Sequence, residues 1–265
     1  MLEKVINIYK PQGWTPLRTI VEFKKLNKKY KDATISYAGR LDPMAEGVLL
    51  LLVGEENKKR KKYQDLTKVY EAEIVFGVTT DTYDALGIIE KISVGAYPSE
   101  DQIKEYFTNI AGKTVQKYPP YSSKTVIGKP LYWWARNKKI SEIEIPTREI
   151  EIYHIELLDF TQINISELYH GVLTRIEKIE GDFRQEEILA TWKKLDNNYS
   201  HEELVKITVR IGCSSGTYIR GIASEIGAYF SCGAFALSIR RTAAGTFIHE
   251  KSIHQIGRAS CRERV

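Results

Sequence analysis

Apolar and polar positions repeat with two periods along this chain. From Val69 to Phe76, the apolar Tyr70, Ala72, Ile74 and Phe76 alternate with Glu71, Glu73 and Val75. Val205, Ile207, Val209 and Ile211 alternate with Lys206, Thr208 and Arg210 in the same way. Period two predicts strands with one wetter face. Residues 5–9 and 150–158 read as further strands. Val48 to Val53 is a continuous apolar run closed by Gly54; its length suits a strand buried on both faces or a short buried helix. Helical spacing appears at Ile20, Val21, Phe23 and Leu26, behind Thr15 and Pro16, a good N-cap and first-turn pair. It recurs at Ile103, Phe107 and Ile110, opened by a Ser99–Gln102 capping box and ended by Gly112. Asp182 with Gln185 predicts the start of a helix through Ile188, Leu189 and Trp192, and Ile219, Ile222, Ile226 and Tyr229 predict another.

These elements follow one another without a βαβ rhythm. The pattern therefore predicts an α+β fold with a central mixed, mostly antiparallel sheet flanked by helices. No internal repeat or long linker divides the chain, so residues 1–255 read as one domain. Residues 161–204 are polar and punctuated by Gly171 and Gly181, and are expected to be an irregular insertion at the edge of the fold. Residues 256–265 have neither an apolar period nor turn logic, and one back-translation resembles a sequencing-library adapter read in frame. They are expected to be a non-native tail or a disordered one, with Cys261 carrying no meaning.

Composition narrows the function classes. The formal net charge is +5, with lysine runs at Lys24–Lys25, Lys28–Lys29 and Lys58 to Lys62. A mild basic excess fits a polyanion partner, although on charge alone solubility is the better explanation. The cysteines Cys213, Cys232 and Cys261 are too scattered for a disulfide framework, and the histidines form no metal-ligand cluster. No P-loop or GxGxxG run is present. No apolar run has membrane-spanning length, and Met1 to Val5 lacks the layout of a signal peptide. A cytoplasmic protein is expected.

The candidate chemistry lies at Gly39-Arg40-Leu41-Asp42-Pro43. Pro43 disfavours helix at Asp42, and Gly39 and Gly47 permit tight turns beside it. A carboxylate on a loop at the edge of a rigid core suits a nucleophile, but also an Asx turn or a cap. Other segments then agree in order. They are Lys10-Pro11-Gln12-Gly13, Gly54-Glu55-Glu56-Asn57-Lys58, Lys68-Val69-Tyr70 and Thr80-Asp81-Thr82-Tyr83-Asp84. Pro119-Pro120-Tyr121-Ser122-Ser123-Lys124, Ser215-Gly216-Thr217-Tyr218-Ile219-Arg220 and Arg240-Arg241 complete the series. Together they resemble the motifs of TruB-type pseudouridine synthases over roughly residues 5–160 and 205–250.

The resemblance implies a catalytic domain that isomerises the T-loop uridine-55 of tRNA, acting as a monomer and without metal or cofactor. Asp42 would be the nucleophile, toward C1′ of the ribose or C6 of the base. Tyr70 would stack on the flipped base, and Arg220 would pair with Asp42. Lys10, Tyr37, Arg40, Lys58, Tyr218 and Ile239 fall at positions implied to grip substrate or RNA. Tyr132, Trp133, Trp134, Arg136, Lys138 and Lys139 form a basic-aromatic group suited to an RNA groove. Tyr37 and Ala38 depart from the family's usual His and Thr. The Gly-Arg-Leu-Asp wording resembles sister families, which keeps open another RNA target, a guide RNA, or a catalytically silent tRNA chaperone. If the tail is foreign, a small C-terminal RNA-binding domain would lie outside this sequence.

Overall fold

The structure is a computed structural model, and it describes residues 2–254. The expected tail, with Cys261, lies outside the described residues. The chain opens with β1 (Val5–Lys10), α1 (Pro16–Leu26), β2 (Ile35–Ala38) and β3 (Ala45–Val53). A short helix α2 (Arg60–Gln64) precedes β4 (Lys68–Phe76) and the hairpin of β5 (Val78–Thr80) with β6 (Ile89–Ile92). Next come α3 (Glu100–Ile110), β7 (Gly112–Lys117), the small hairpin of β8 (Thr125–Val126) with β9 (Lys129–Pro130), and α4 (Leu131–Arg136). The long strand β10 (Thr147–Asn164) leads into helices α5 (Ile165–Glu177) and α6 (Gln185–Tyr199). Strand β11 (Glu203–Cys213), α7 (Ile219–Tyr229), β12 (Ala234–Ala244) and β13 (Phe247–Ile248) follow.

Among the described residues, nine strands make one mixed sheet in the order β1-β3-β12-β4-β11-β10-β7, with β2 on β3 and β13 on β12. The β12–β3 pairing is parallel and the others in this sheet are antiparallel, which makes the fold the α+β class expected from the pattern. The Val48–Val53 run is an interior strand with both faces covered. Leu49, Leu51 and Val53 enter the main core, while Val48, Leu50 and Leu52 pack with Ala38 and Ala244 on the other side.

The main core lies between the sheet and helices α1, α3 and α7. Ile20, Phe23, Ile103, Phe107, Ile222 and Ile226 are all buried there. Each such side chain contributes about 1.5–3 kcal/mol. Thr15 caps α1 by accepting from Arg18 N at 3.1 Å, and Ser99 and Gln102 form the expected capping box on α3.

Three expectations are corrected. Residues 161–204 are not irregular: after the last residues of β10 they form the α5–α6 hairpin, with a second core. Leu168, Val172, Ile176 and Trp192 pack there on Val75, Phe235 and Leu237 of the sheet. Gly171 sits inside α5 without breaking it. Helix α6 starts at Gln185, not at Asp182; the Asp182 carboxylate accepts from Arg184 N, and the Gln185 side chain accepts from Phe183 N. Strand β10 is twice its expected length because register shifts at Ile152/His154 and Leu157/Asp159 break the strict alternation.

Candidate active site

The Asp42 loop joins β2 to β3 and is fastened from both sides. Pro43 O accepts from Gly13 N at 2.9 Å, which ties it to the turn after β1. From β12, the fully buried Arg241 donates to Gly39 O at 2.9 Å, Arg40 O at 3.5 Å and Val48 O at 2.7 Å. One guanidinium therefore spans the carbonyls on either side of Asp42. Gly39 has φ +73°, and a Cβ there would stand 3.3 Å from Arg241 Nη1, so the loop needs glycine for both its turn and its close approach.

Arg220 stands in the first turn of α7, where the helix dipole disfavours a cation. Two carboxylates compensate. Its Nε donates to Asp42 Oδ2 at 2.8 Å and lies 3.7 Å from Asp84 Oδ2. Its remaining donors reach Thr82 O at 2.7 Å and Tyr121 O at 3.4 Å. Burial works against its charge, and Asp42 and Asp84 outweigh that effect, so Arg220 stays cationic. The Arg220 side chain is 4% exposed and that of Asp42 33%, so the cation is sealed while the carboxylate it orients faces the cleft. Asp84 is buried, accepts from Thr82 Oγ1 at 2.7 Å and Leu86 N at 3.0 Å, and is pushed up to about 6 by burial.

Around Asp42 runs a cleft of about 870 Å³, a size that accepts a flipped nucleoside. Tyr70, on the core face of β4, lines it, and burial pushes its phenol up. Ile239 and Tyr218 also line the cleft. Tyr218 is set by Gln116 of β7, which accepts from its backbone N at 2.9 Å and donates to its carbonyl at 3.1 Å. Tyr37 and Arg40 lie on the rim, with Arg60 over the Tyr37 ring at 5.4 Å. From the basic-aromatic group, Tyr132 and Arg136 reach the cleft. Trp134 instead donates to Val126 O at 3.1 Å, and Trp133 carries Lys129 over its ring at 5.4 Å.

Two expected RNA contacts stand elsewhere. Lys10 is 0% exposed, and its ammonium donates to Pro11 O at 3.0 Å and Trp14 O at 2.6 Å. It holds the turn that holds Pro43, and burial lowers it to about 7. Lys58 pairs with Glu55 on a short 3₁₀ turn and does not line the cleft. Sequence reasoning also missed residues. Asp84, Arg241 and Lys68 lay inside recognisable motifs but had no partner to suggest a role. Lys68 lines the cleft, with burial lowering it to about 8. Arg184 and Gln116 carried no sequence signal at all.

Comparison with known proteins shows the family. The family model described as TruB family pseudouridylate synthase (N terminal domain) matches residues 27–172. The tRNA pseudouridine synthase B of Syntrophomonas wolfei is 33% identical over 249 residues, covering 94% of this chain and 69% of that one. The enzyme of the same name from Trichormus variabilis is 31% identical over 246 residues, covering 93% and 69%. In fold, the chain is similar to one in the crystal structure of a Cbf5-Nop10-Gar1 complex, at TM-score 0.58 and 21% identity, covering 95% of this chain and about half (52%) of that chain. With a family model over more than half its length, and relatives of this similarity along nearly all of it, the chain belongs to the TruB family of pseudouridylate synthases.

Proposed function

We propose that this protein isomerises uridine to pseudouridine at the T-loop uridine-55 of tRNA, with residues 1–255 as the catalytic domain and Asp42 as nucleophile. The observation that carries the reading is the Asp42 carboxylate, presented to the cleft and held by Arg220 Nε at 2.8 Å beside Tyr70. The target base leaves the loop stack and enters the cleft. The Asp42 carboxylate attacks C1′ or C6, and the N1–C1′ bond breaks. The base then turns, C5 joins C1′, the bond between Asp42 and the nucleoside breaks and returns the carboxylate, the C5 proton is lost and N1 gains one. Product and substrate have the same composition, so no group or electron has to be supplied.

Each side chain has a physical task in this sequence. The planar guanidinium of Arg220 holds the carboxylate in one orientation, which removes the cost of ordering it at the moment of attack. Tyr70 offers the base a stacking face, and because burial raises its phenol it stays protonated as a hydrogen-bond donor. Ile239 and Leu41 add apolar wall to the pocket. The relatives' names give tRNA as substrate, and a T-arm is read by loop shape and phosphate contacts. We place the protein in the cytoplasm as a monomer; no helix among the described residues is long and apolar enough to cross a membrane.

The test is a T-arm hairpin carrying 5-³H-uridine. Wild type is expected to release tritium and Asp42→Asn to release none. Hairpin binding without release by wild type would overturn the assignment.

A further inference from the structure

The turn between α5 and α6 lies outside the motifs that first pointed to the family, yet Asp182, Phe183 and Arg184 line the cleft. This turn reaches several parts of the cleft wall. Glu180 pairs with Arg18 of α1. Arg136 of α4 donates to Asp182 O at 2.6 Å and to its Oδ2 at 3.4 Å. Arg184 Nη1 donates to Asp81 Oδ2 at 2.8 Å, and its guanidinium lies 4.4 Å from the centre of the Tyr121 ring. Tyr121 O in turn accepts from Arg220 Nη2 at 3.4 Å. A continuous chain of neighbours therefore runs from the hairpin through Arg184 and Tyr121 to Arg220 and Asp42.

We propose that Arg184 is a positioning residue. It fixes Tyr121 and the 118–136 segment, so that the Tyr121 carbonyl helps to aim Arg220 at Asp42. Its backbone sits at φ +63°, a conformation that a non-glycine residue keeps only when its surroundings hold it there. A direct phosphate contact is the less favoured role: the side chain is 17% exposed, one ring face covers the guanidinium and a carboxylate occupies its edge. The inference rests on the synthase reading above.

The test is Arg184→Gly, which suits the backbone and removes the guanidinium, with Arg184→Lys beside it. Wild type and Asp42→Asn serve as controls. The expected result for Arg184→Gly is a single-turnover rate of pseudouridine formation lowered about tenfold to a hundredfold, with tRNA Kd and its salt dependence unchanged. Arg184→Lys should recover part of the rate. Amides of Leu131 and Tyr132, which donate to Lys124 O at 2.8 Å and Ser122 O at 3.0 Å, should lose protection from hydrogen exchange in Arg184→Gly. A weaker Kd with a flatter salt dependence and an unchanged rate would show a phosphate contact and overturn the proposal. An unchanged rate together with unchanged Kd would overturn it too. Silence of wild type itself would strike the synthase reading instead.

Discussion

Arg220 serves two carboxylates of unlike exposure, and its replacements test both. Arg220→Met leaves Asp84 buried without its cation. Losing one partner of a buried pair costs about 3–5 kcal/mol. Asp84 has a folded value of about 6 against an ordinary 3.8, so the fold favours its protonated form. The resulting stability is fully present below pH 3.8 and is lost as pH rises through about 6. The penalty in Arg220→Met should therefore be large at pH 8 and small at pH 5, as read by denaturant unfolding at both values. In wild type, the pH–rate profile should fall below pH 6 as Asp84 becomes neutral and stops supporting Arg220. Asp84→Asn should be slower throughout and lack that acid limb. Asp42, Tyr70 and Arg220 were legible in the sequence because each stands in a motif of recognisable wording. Arg241 and Asp84 stand in such motifs too, but their roles were not legible, since a carbonyl 202 residues away is invisible to local reading. Lys10 was misjudged for the reverse reason: its motif was plain, but burial among the carbonyls of its own turn is a tertiary fact.

At the scale of elements, the parallel pairing of β3 with β12 decides how the catalytic loop is held. Arg241 is opposite Gly47 in that register, and Gly47 has φ +107° with the Arg241 carbonyl oxygen where a Cβ would stand. Gly47→Ala should therefore destabilise by more than about 1 kcal/mol, measured as a shift in the denaturant midpoint. It should lower activity further by moving Arg241 off Gly39. The α5–α6 hairpin has a distinct weak point in Trp192, which is fully buried and donates to Gly87 O at 3.2 Å. Trp192→Ala should cost about 3–5 kcal/mol, again by denaturant unfolding. The strands with clean alternation, β4 and β11, were legible at once. Helix α5 also carried its period, with Ile165, Leu168, Val172 and Ile176 all on its buried side, but the polar residues between them masked it. Strand β12 went unread because Ala234 to Leu237 is apolar on both faces and too short to show a period.

Over the whole molecule, the basic excess has an uneven placement. Lys25, Lys28 and Lys29 are exposed at the end of α1, with Lys24 half-buried beside them. Reversing these four charges should weaken tRNA binding and reduce the slope of log K against log salt by about 0.7–0.9 for each phosphate that is no longer neutralised. Binding measured across a salt series decides it, and an unchanged slope would remove this face from the interface. Charge and length bounded the molecule from the sequence, but the placement of charge around a cleft came only with the fold. The span between the Asp42 loop and Arg241 also bears on how the protein comes into being. The loop carbonyls find their clamp only when β12 has entered the middle of the sheet, and chain closure over such a distance is slow. A ribosome that has released everything through α7 has still made a molecule whose nucleophile is loosely held. Competence should therefore arrive as a late step, in synthesis and in refolding alike, after most of the secondary structure is in place.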